Sequence, residues 1–322
     1  MKLLLANPRG FCAGVERAVA IVERMLDVTD EPVFVRHEIV HNQVVVEHLR
    51  GRGAVFVEQM SEIPRDALAV VSAHGAPITV FREADERGLR LLDATCPLVS
   101  KVHLEVARHA RQGRSVIVIG HRDHVEVKGI VGHYEHEGAA TIQVVESEAD
   151  AETVAPPTPG LLGYVTQTTL SVSQARNIIA VLHRRFPNII APHAQDICYA
   201  TENRQNAVRK LAETCDLILV IGAPHSSNSQ RLKETAQALG VTARLIERPE
   251  EILPDWLTGI ATLGLTSSAS APEHLVARAI ERLTGLSPGL VIEEFGAPEG
   301  VSFRLPAQLR DLDRAETREV RA

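Results

Sequence analysis

Residues 7–19 read Asn7-Pro8-Arg9-Gly10-Phe11-Cys12-Ala13-Gly14-Val15-Glu16-Arg17-Ala18-Val19. The apolar run Leu3–Ala6 before them suits a strand, Pro8 to Gly10 make a turn, and the spacing after Cys12 predicts a helix. The order returns at Leu91-Leu92-Asp93-Ala94-Thr95-Cys96-Pro97 before a helix over 99–110. It returns again from Ile190 to Asp196-Ile197-Cys198-Tyr199 before a helix over 201–213. Three cysteines therefore stand where a strand ends and a helix begins, and they mark three stretches of similar length. The free N–H groups of a helix N-terminus stabilise a thiolate, the form that binds metal, so the three together point to a metal site. Cys215, directly before the apolar run 217–221, lacks this context and reads as structural.

Between the cysteines, strands and helices alternate. The first stretch predicts strands at 33–35, 55–57 and 67–72 and helices over 43–52 and 79–87. The second predicts strands at 116–119, 141–145 and 161–165, a short helix near 128–134, and a helix over 171–186 with Ser171 as its N-cap. The third predicts strands at 217–221, 244–246 and 260–264 and helices over 230–239 and 273–283. Continuous apolar strands separated by helices imply an α/β fold with parallel sheets covered on both faces. The expected architecture is three small parallel-sheet α/β domains in pseudo-threefold arrangement around a central metal site. Their bounds are 14–96, 97–194 and 195–290 together with 1–13, followed by a C-terminal extension over 291–322, loosely ordered from Gln308.

Of 322 residues, 45% are hydrophobic and 23% charged, which suffices for a buried core. A net charge of −7 offers no electrostatic basis for nucleic-acid binding. Leu3–Ala6 is too short for a signal-peptide core, and no run approaches a membrane span, so a cytoplasmic protein with reduced cysteines is expected.

Open α/β sheets bind ligands at the carboxyl ends of their strands. The loops expected there carry His41 with Asn42, His74, His124 with Glu126, Thr168, Ser226-Ser227-Asn228, and Ser270. Taken singly, Ser-Ser-Asn-Ser is a helix cap and a loop histidine is solvated. At matching positions they make a hydrogen-bonding set suited to a phosphate or diphosphate held without magnesium. Glu126 is the carboxylate placed to give a proton, two residues from His124 on the same side of an extended segment. Asp93 and Asp196 are expected to bond their own turns. Three thiolates without a CxxC pair leave two options, a zinc ion completed by histidine or an iron–sulfur cluster with an open iron.

The segments Asn7–Val15, Val40-His41-Asn42, Ser72-Ala73-His74-Gly75, Asp93–Pro97, Thr166–Ser171, Asp196–Thr201 and Ser226–Ser229 occur in an order that resembles the IspH/LytB family, the 4-hydroxy-3-methylbut-2-enyl diphosphate reductases of the non-mevalonate isoprenoid pathway. The resemblance implies one [4Fe–4S] cluster on Cys12, Cys96 and Cys198, with one iron open to the substrate hydroxyl. It implies substrate binding by His41, His74, His124, Thr168, Ser226, Ser227, Asn228 and Ser270, with Glu126, Thr168 and His124 as catalytic residues. The hydroxyl would leave as water, and two electrons would give an allyl anion that is protonated to isopentenyl or dimethylallyl diphosphate. Reduced ferredoxin or flavodoxin would supply the electrons to a monomer that binds neither nucleic acid nor membrane. Two departures stand out, Val125 where the family has proline and Ser268 where it has glycine. A serine forced to positive φ there would cost on the order of 1 kcal/mol and shift Ser270. The rival readings are a dehydratase of the quinolinate-synthase type and a zinc-stabilised binding module.

Overall fold

The computed structural model describes residues 1–309. In chain order, β1 (Lys2–Asn7) leads to α1 (Ala13–Val28), β2 (Val33–Arg36), α2 (Gln43–Gly51), β3 (Ala54–Val57), β4 (Leu68–Val71), α3 (Ile78–Glu86) and β5 (Arg90–Asp93). Then follow α4 (Pro97–Arg111), β6 (Ser115–Ile119), α5 (Val125–Val131), β7 (Ile142–Val145), α6 (Glu148–Thr153), β8 (Leu162–Thr166) and α7 (Val172–Arg185). The rest is α8 (Tyr199–Ala212), β9 (Leu217–Ile221), α9 (Ser227–Ala238), β10 (Thr242–Ile246), β11 (Thr262–Ser267), α10 (Glu273–Leu286) and β12 (Val291–Gly296). The strands form three sheets, ordered β10-β9-β11-β1-β12, β3-β2-β4-β5 and β7-β6-β8. Every pairing between these strands is parallel.

The chain divides into two compact units. One comprises Met1–Val15, His41–Val45 and Cys198–Ser302, and the other comprises the remaining described residues. In the first, strand alternation sends Leu3, Leu5, Leu219 and Leu265 to one face, against Leu275, Val276 and Leu283 of α10. Leu4, Ala6, Ile218 and Val220 take the other face, against Val208 and Leu211 of α8 and Leu232 of α9. Both faces are covered, so these strands carry no polar side and read as continuous apolar runs. Each such side chain contributes about 1.5–3 kcal/mol by leaving water. In the second unit, Ile117, Ile119 and Tyr164 pack on Ile178 and Leu182 of α7, and Val116, Val118 and Val165 pack on Val102 and Val106 of α4 and Ile130 of α5. Ala69 and Val71 of the remaining sheet meet Val80 and Ala84 of α3.

Four local expectations change. The strand expected before Cys198 reduces to a single bridge between Gly163 and Ile190, because Pro192 offers no N–H to continue a ladder. Helix α5 begins at Val125, not near 128, because His124 Nδ1 caps it by accepting the Glu126 N–H at 3.2 Å. Glu126 thus lies in a helical first turn and not on an extended segment. Helix α9 begins at Ser227, with the Ser226 hydroxyl accepting the Ser229 N–H at 3.4 Å, so Asn228 and Ser229 fall inside its first turn. Val291–Gly296, assigned to the C-terminal extension, adds a fifth strand beside β1. Of the tail expected to be loose from Gln308, residues 310–322 lie outside the described residues. No described helix is long and apolar enough to cross a membrane.

Gly75 shows how tightly the His74 turn is held. Its φ is +76°, and a Cβ there would stand 2.5 Å from His103 Cε1 and 3.2 Å from Thr95 Cγ2. Gly240 has φ of +83° with nothing within 4 Å of the added carbon. Gly240→Ala should therefore cost only the left-handed penalty of about 1–2 kcal/mol, whereas Gly75→Ala adds overpacking of about 1–3 kcal/mol. Urea unfolding of both variants checks the difference, and equal losses would refute the crowding at His103.

Candidate active site

Parallel pairing brings the carboxyl ends of a sheet's strands to one edge, and most of the expected site residues follow such ends. Cys12 follows β1, Ser226 to Asn228 follow β9, and Ser270 follows β11. Cys96 follows β5, His74 follows β4, His124 and Glu126 follow β6, and Thr168 follows β8.

In the first unit, Cys12 immediately precedes α1, and its N–H donates to Ala269 O at 3.2 Å. Cys198 is the N-cap of α8; its sulfur accepts the Thr201 N–H at 3.4 Å, with Thr201 Oγ1 at 3.2 Å. Burial raises the Cys12 thiol pKa, and the Arg204 charge opposes that shift. Asn228 Oδ1 accepts the Ala269 N–H at 3.0 Å, while its Nδ2 is buried with no hydrogen-bond partner. The buried Ser229 hydroxyl is likewise unpartnered. Unpaired buried donors are costly, and an incoming anion would satisfy them. Ser227 is half-buried beside them. The Ser270 hydroxyl donates to His41 O at 3.0 Å, so serving a ligand would require its rotation. The His41 ring meets His225 edge-on at 5.3 Å.

Ser268 shows none of the expected strain. Among the described residues, only His37 and Asp66 have positive φ outside glycine. The Ser268 N–H extends the sheet pattern by bonding Ile221 O at 2.8 Å. Val125 occupies the first helical position of α5, where proline would lose no hydrogen bond because that N–H has no partner within the helix. Valine at this place keeps the helix.

In the second unit, Glu126 is 2% exposed. Its Oε1 accepts the Thr168 N–H at 2.6 Å and its Oε2 accepts the Thr168 hydroxyl at 3.0 Å. Burial pushes its pKa up to about 7, the Asp196 charge acts in the same direction, and the two Thr168 bonds oppose them. The His74 and His124 rings lie edge-on at 6.1 Å. Because His124 Nδ1 accepts the Glu126 N–H, the neutral ring carries its proton on Nε2, where it can donate. Cys96 is the N-cap of α4. Asp93 bonds its own turn as expected, accepting the Thr95 N–H at 2.9 Å. Asp196 does not: its Oδ2 accepts the Thr166 N–H at 3.0 Å and Oδ1 lies 3.1 Å from Lys101 Nζ. It anchors the end of β8, next to Thr168. That role, and those of Arg204 and of His103 beneath Gly75, left no signal in the residue pattern, because each depends on contacts far apart in sequence.

None of the four cysteines is in a disulfide. Thiols at helix starts and polar loops at the ends of parallel strands make this an α/β protein with its reactive side chains at the sheets' carboxyl ends, where open α/β sheets bind ligands. The LytB protein family model matches residues 3–284, and the chain belongs to that family. It is 51% identical over 311 residues to a 4-hydroxy-3-methylbut-2-enyl diphosphate reductase of Chromohalobacter salexigens, covering 97% of this chain and 98% of that one. A protein of the same name from Hahella chejuensis is 52% identical over 310 residues, covering 96% and 98%. The structure of the E-1-hydroxy-2-methyl-but-2-enyl-4-diphosphate reductase of Plasmodium falciparum superposes with a TM-score of 0.93 at 36% identity, covering 98% of this chain and 99% of that one. A second solved structure, titled as (E)-4-hydroxy-3-methyl-but-2-enyl diphosphate reductase, the terminal enzyme of the non-mevalonate pathway, gives a TM-score of 0.62 at 30% identity over 88% and 100%.

The Glu126 environment has a pH signature. An unfolded glutamate ionises near 4.5, whereas the folded group holds its proton to about 7. Between those values the folded chain binds more protons, so the stability this group contributes is full below about pH 4.5 and is lost as pH rises through 7. Glu126→Gln should remove that dependence. Relative to wild type, the variant should gain roughly 1–3 kcal/mol between about pH 5 and about pH 8. Urea unfolding at the two pH values reads this, and a pH-independent difference would contradict it.

Proposed function

We propose that this chain reduces (E)-4-hydroxy-3-methylbut-2-enyl diphosphate to isopentenyl and dimethylallyl diphosphate, the last step of the non-mevalonate isoprenoid pathway. The carrying observation is the buried Glu126–Thr168 pair, with a carboxyl able to hold a proton near neutral pH. The reaction takes up two electrons and two protons, breaks the C–O bond, forms a C–H bond and releases the oxygen as water. Hydroxide leaves poorly, so a proton must reach the departing oxygen. Glu126 holds that proton at its carboxyl, and the Thr168 hydroxyl, 3.0 Å from Oε2, passes it on.

Asn228 Nδ2, Ser226, Ser227, His41, His74, His124 through Nε2–H, and Ser270 after rotation would bind the diphosphate. The unpartnered Asn228 and Ser229 groups support this, since a diphosphate oxygen would pair them. Cys12, Cys96 and Cys198 fit an iron–sulfur centre by their chemistry: all three are outside disulfides and stand at helix starts, whose N–H groups stabilise a thiolate and at Cys12 oppose the rise caused by burial. They would hold one [4Fe–4S] cluster, which supplies an open Lewis-acidic iron and a path for electrons. Reduced ferredoxin or flavodoxin as donor to a cytoplasmic monomer completes the reading.

Anaerobic turnover of the hydroxymethylbutenyl diphosphate with a reduced dye tests the reaction, and no consumption of electrons would overturn it. Glu126→Gln should keep its cluster yet lose roughly a hundredfold in turnover. Asn228→Ala should weaken calorimetric binding of inorganic diphosphate by roughly 1–3 kcal/mol, and unchanged affinity would remove this loop from the anion site. Cys96→Ser should lose iron and sulfide after reconstitution while Cys215→Ser retains both. The opposite pattern, or zinc without sulfide, would defeat the metal assignment.

A further inference from the structure

By volume, Arg204 is the largest of the fully buried side chains among the described residues. A guanidinium shut from water must be paired and hydrogen-bonded or it unfolds its surroundings. Its Nε and Nη2 donate to Gly10 O at 3.2 and 2.8 Å, and Nη2 reaches Phe11 O at 3.4 Å. Its Nη1 donates to Ala200 O at 3.0 Å and to Glu299 Oε2 at 3.0 Å. Glu299 lies just beyond β12 and is held in turn by Asn203 Nδ2 at 2.9 Å. The Gly10 and Phe11 carbonyls belong to the turn that ends at Cys12, and Arg204 belongs to the helix that Cys198 caps. Tyr199 Oη makes a second tie between the two, accepting the Ala13 N–H at 3.3 Å.

We propose that the Arg204–Glu299 pair is a positioning element that sets the reduction potential of the centre held by Cys12 and Cys198, an inference that rests on the cluster-binding reading above. Reduction would add negative charge to the centre that these thiolates ligate. A fixed cation behind the Cys12 turn favours the reduced form, its carboxylate partner offsets it, and the low-dielectric setting leaves both terms unscreened. The planar fork matters to geometry as well, since a lysine ammonium cannot reach two carbonyls and a carboxylate in the same arrangement.

Anaerobically reconstituted full-length protein, titrated by EPR-monitored potentiometry, tests the proposal. Glu299→Gln removes the opposing charge and should shift the midpoint potential upward at unchanged iron content. Arg204→Gln should shift it downward. Arg204→Lys keeps the cation and should restore a potential near that of the wild type, although iron should leave to a chelator at least tenfold faster. If Arg204→Gln does not fold, the Glu299→Gln and Arg204→Lys values decide alone. Identical potentials throughout, or Arg204→Lys displaced from wild type as far as or further than Glu299→Gln, would overturn the inference. Cys12→Ser and Cys198→Ser proteins that still bind a cluster would overturn the reading beneath it, a separate result.

Discussion

Parallel strand pairing is the constraint on which everything else depends. A parallel ladder must be closed by a crossover, and the helices on either face bury inner strands such as β4, β6, β9 and β11 on both sides. The same geometry aligns the carboxyl ends of a sheet at one edge. Polar residues gather there in loops, since these inner strands have no polar face to offer. Cys12, Asn228 and Ser270 are carried by one sheet for this reason, and Glu126 and Thr168 by another.

Helix starts then convert those loops into chemistry. His124, Ser226 and Cys198 each cap a helix with a side-chain atom, which spends the cap atom on the backbone and aims the next residues. For His124 the cost is small, because accepting at Nδ1 puts the neutral ring's proton on Nε2, a donor position. For Glu126, joining the helix means burial, and burial is the first cause of its raised pKa. A carboxylate on an exposed loop would ionise near its usual value and could not hold a proton at neutral pH. Asp196, anchored to Thr166 and Lys101, adds charge from behind the same strand end.

Much of this was legible in the residues. The recurring strand–cysteine–helix order marked the three thiols, the apolar runs gave the parallel sheets, and the loop residues named the polar set. Errors clustered at helix starts. Residues 124–127 and 226–229 read as loop because histidine and serine favour caps and loops alike, and only the hydrogen bond to a particular N–H settles where a helix begins. Ser268 was expected to be strained by analogy with glycine, yet its backbone stays on the ordinary side of φ and continues the ladder beside β9.

The amino-acid sequence by itself determined the α/β class, the thiol and polar residues and the loops that carry them, because these follow from local periodicity and spacing, and its motifs carried the resemblance to the family. Tertiary structure alone decided the protonation of Glu126, the anchoring by Asp196, the empty hydrogen-bonding capacity of Asn228 and the Arg204–Glu299 pair. The physical reason is that each of these depends on desolvation and on partners distant in the chain. Residues 126 and 168, or 10 and 204, meet only when the strands between them have paired.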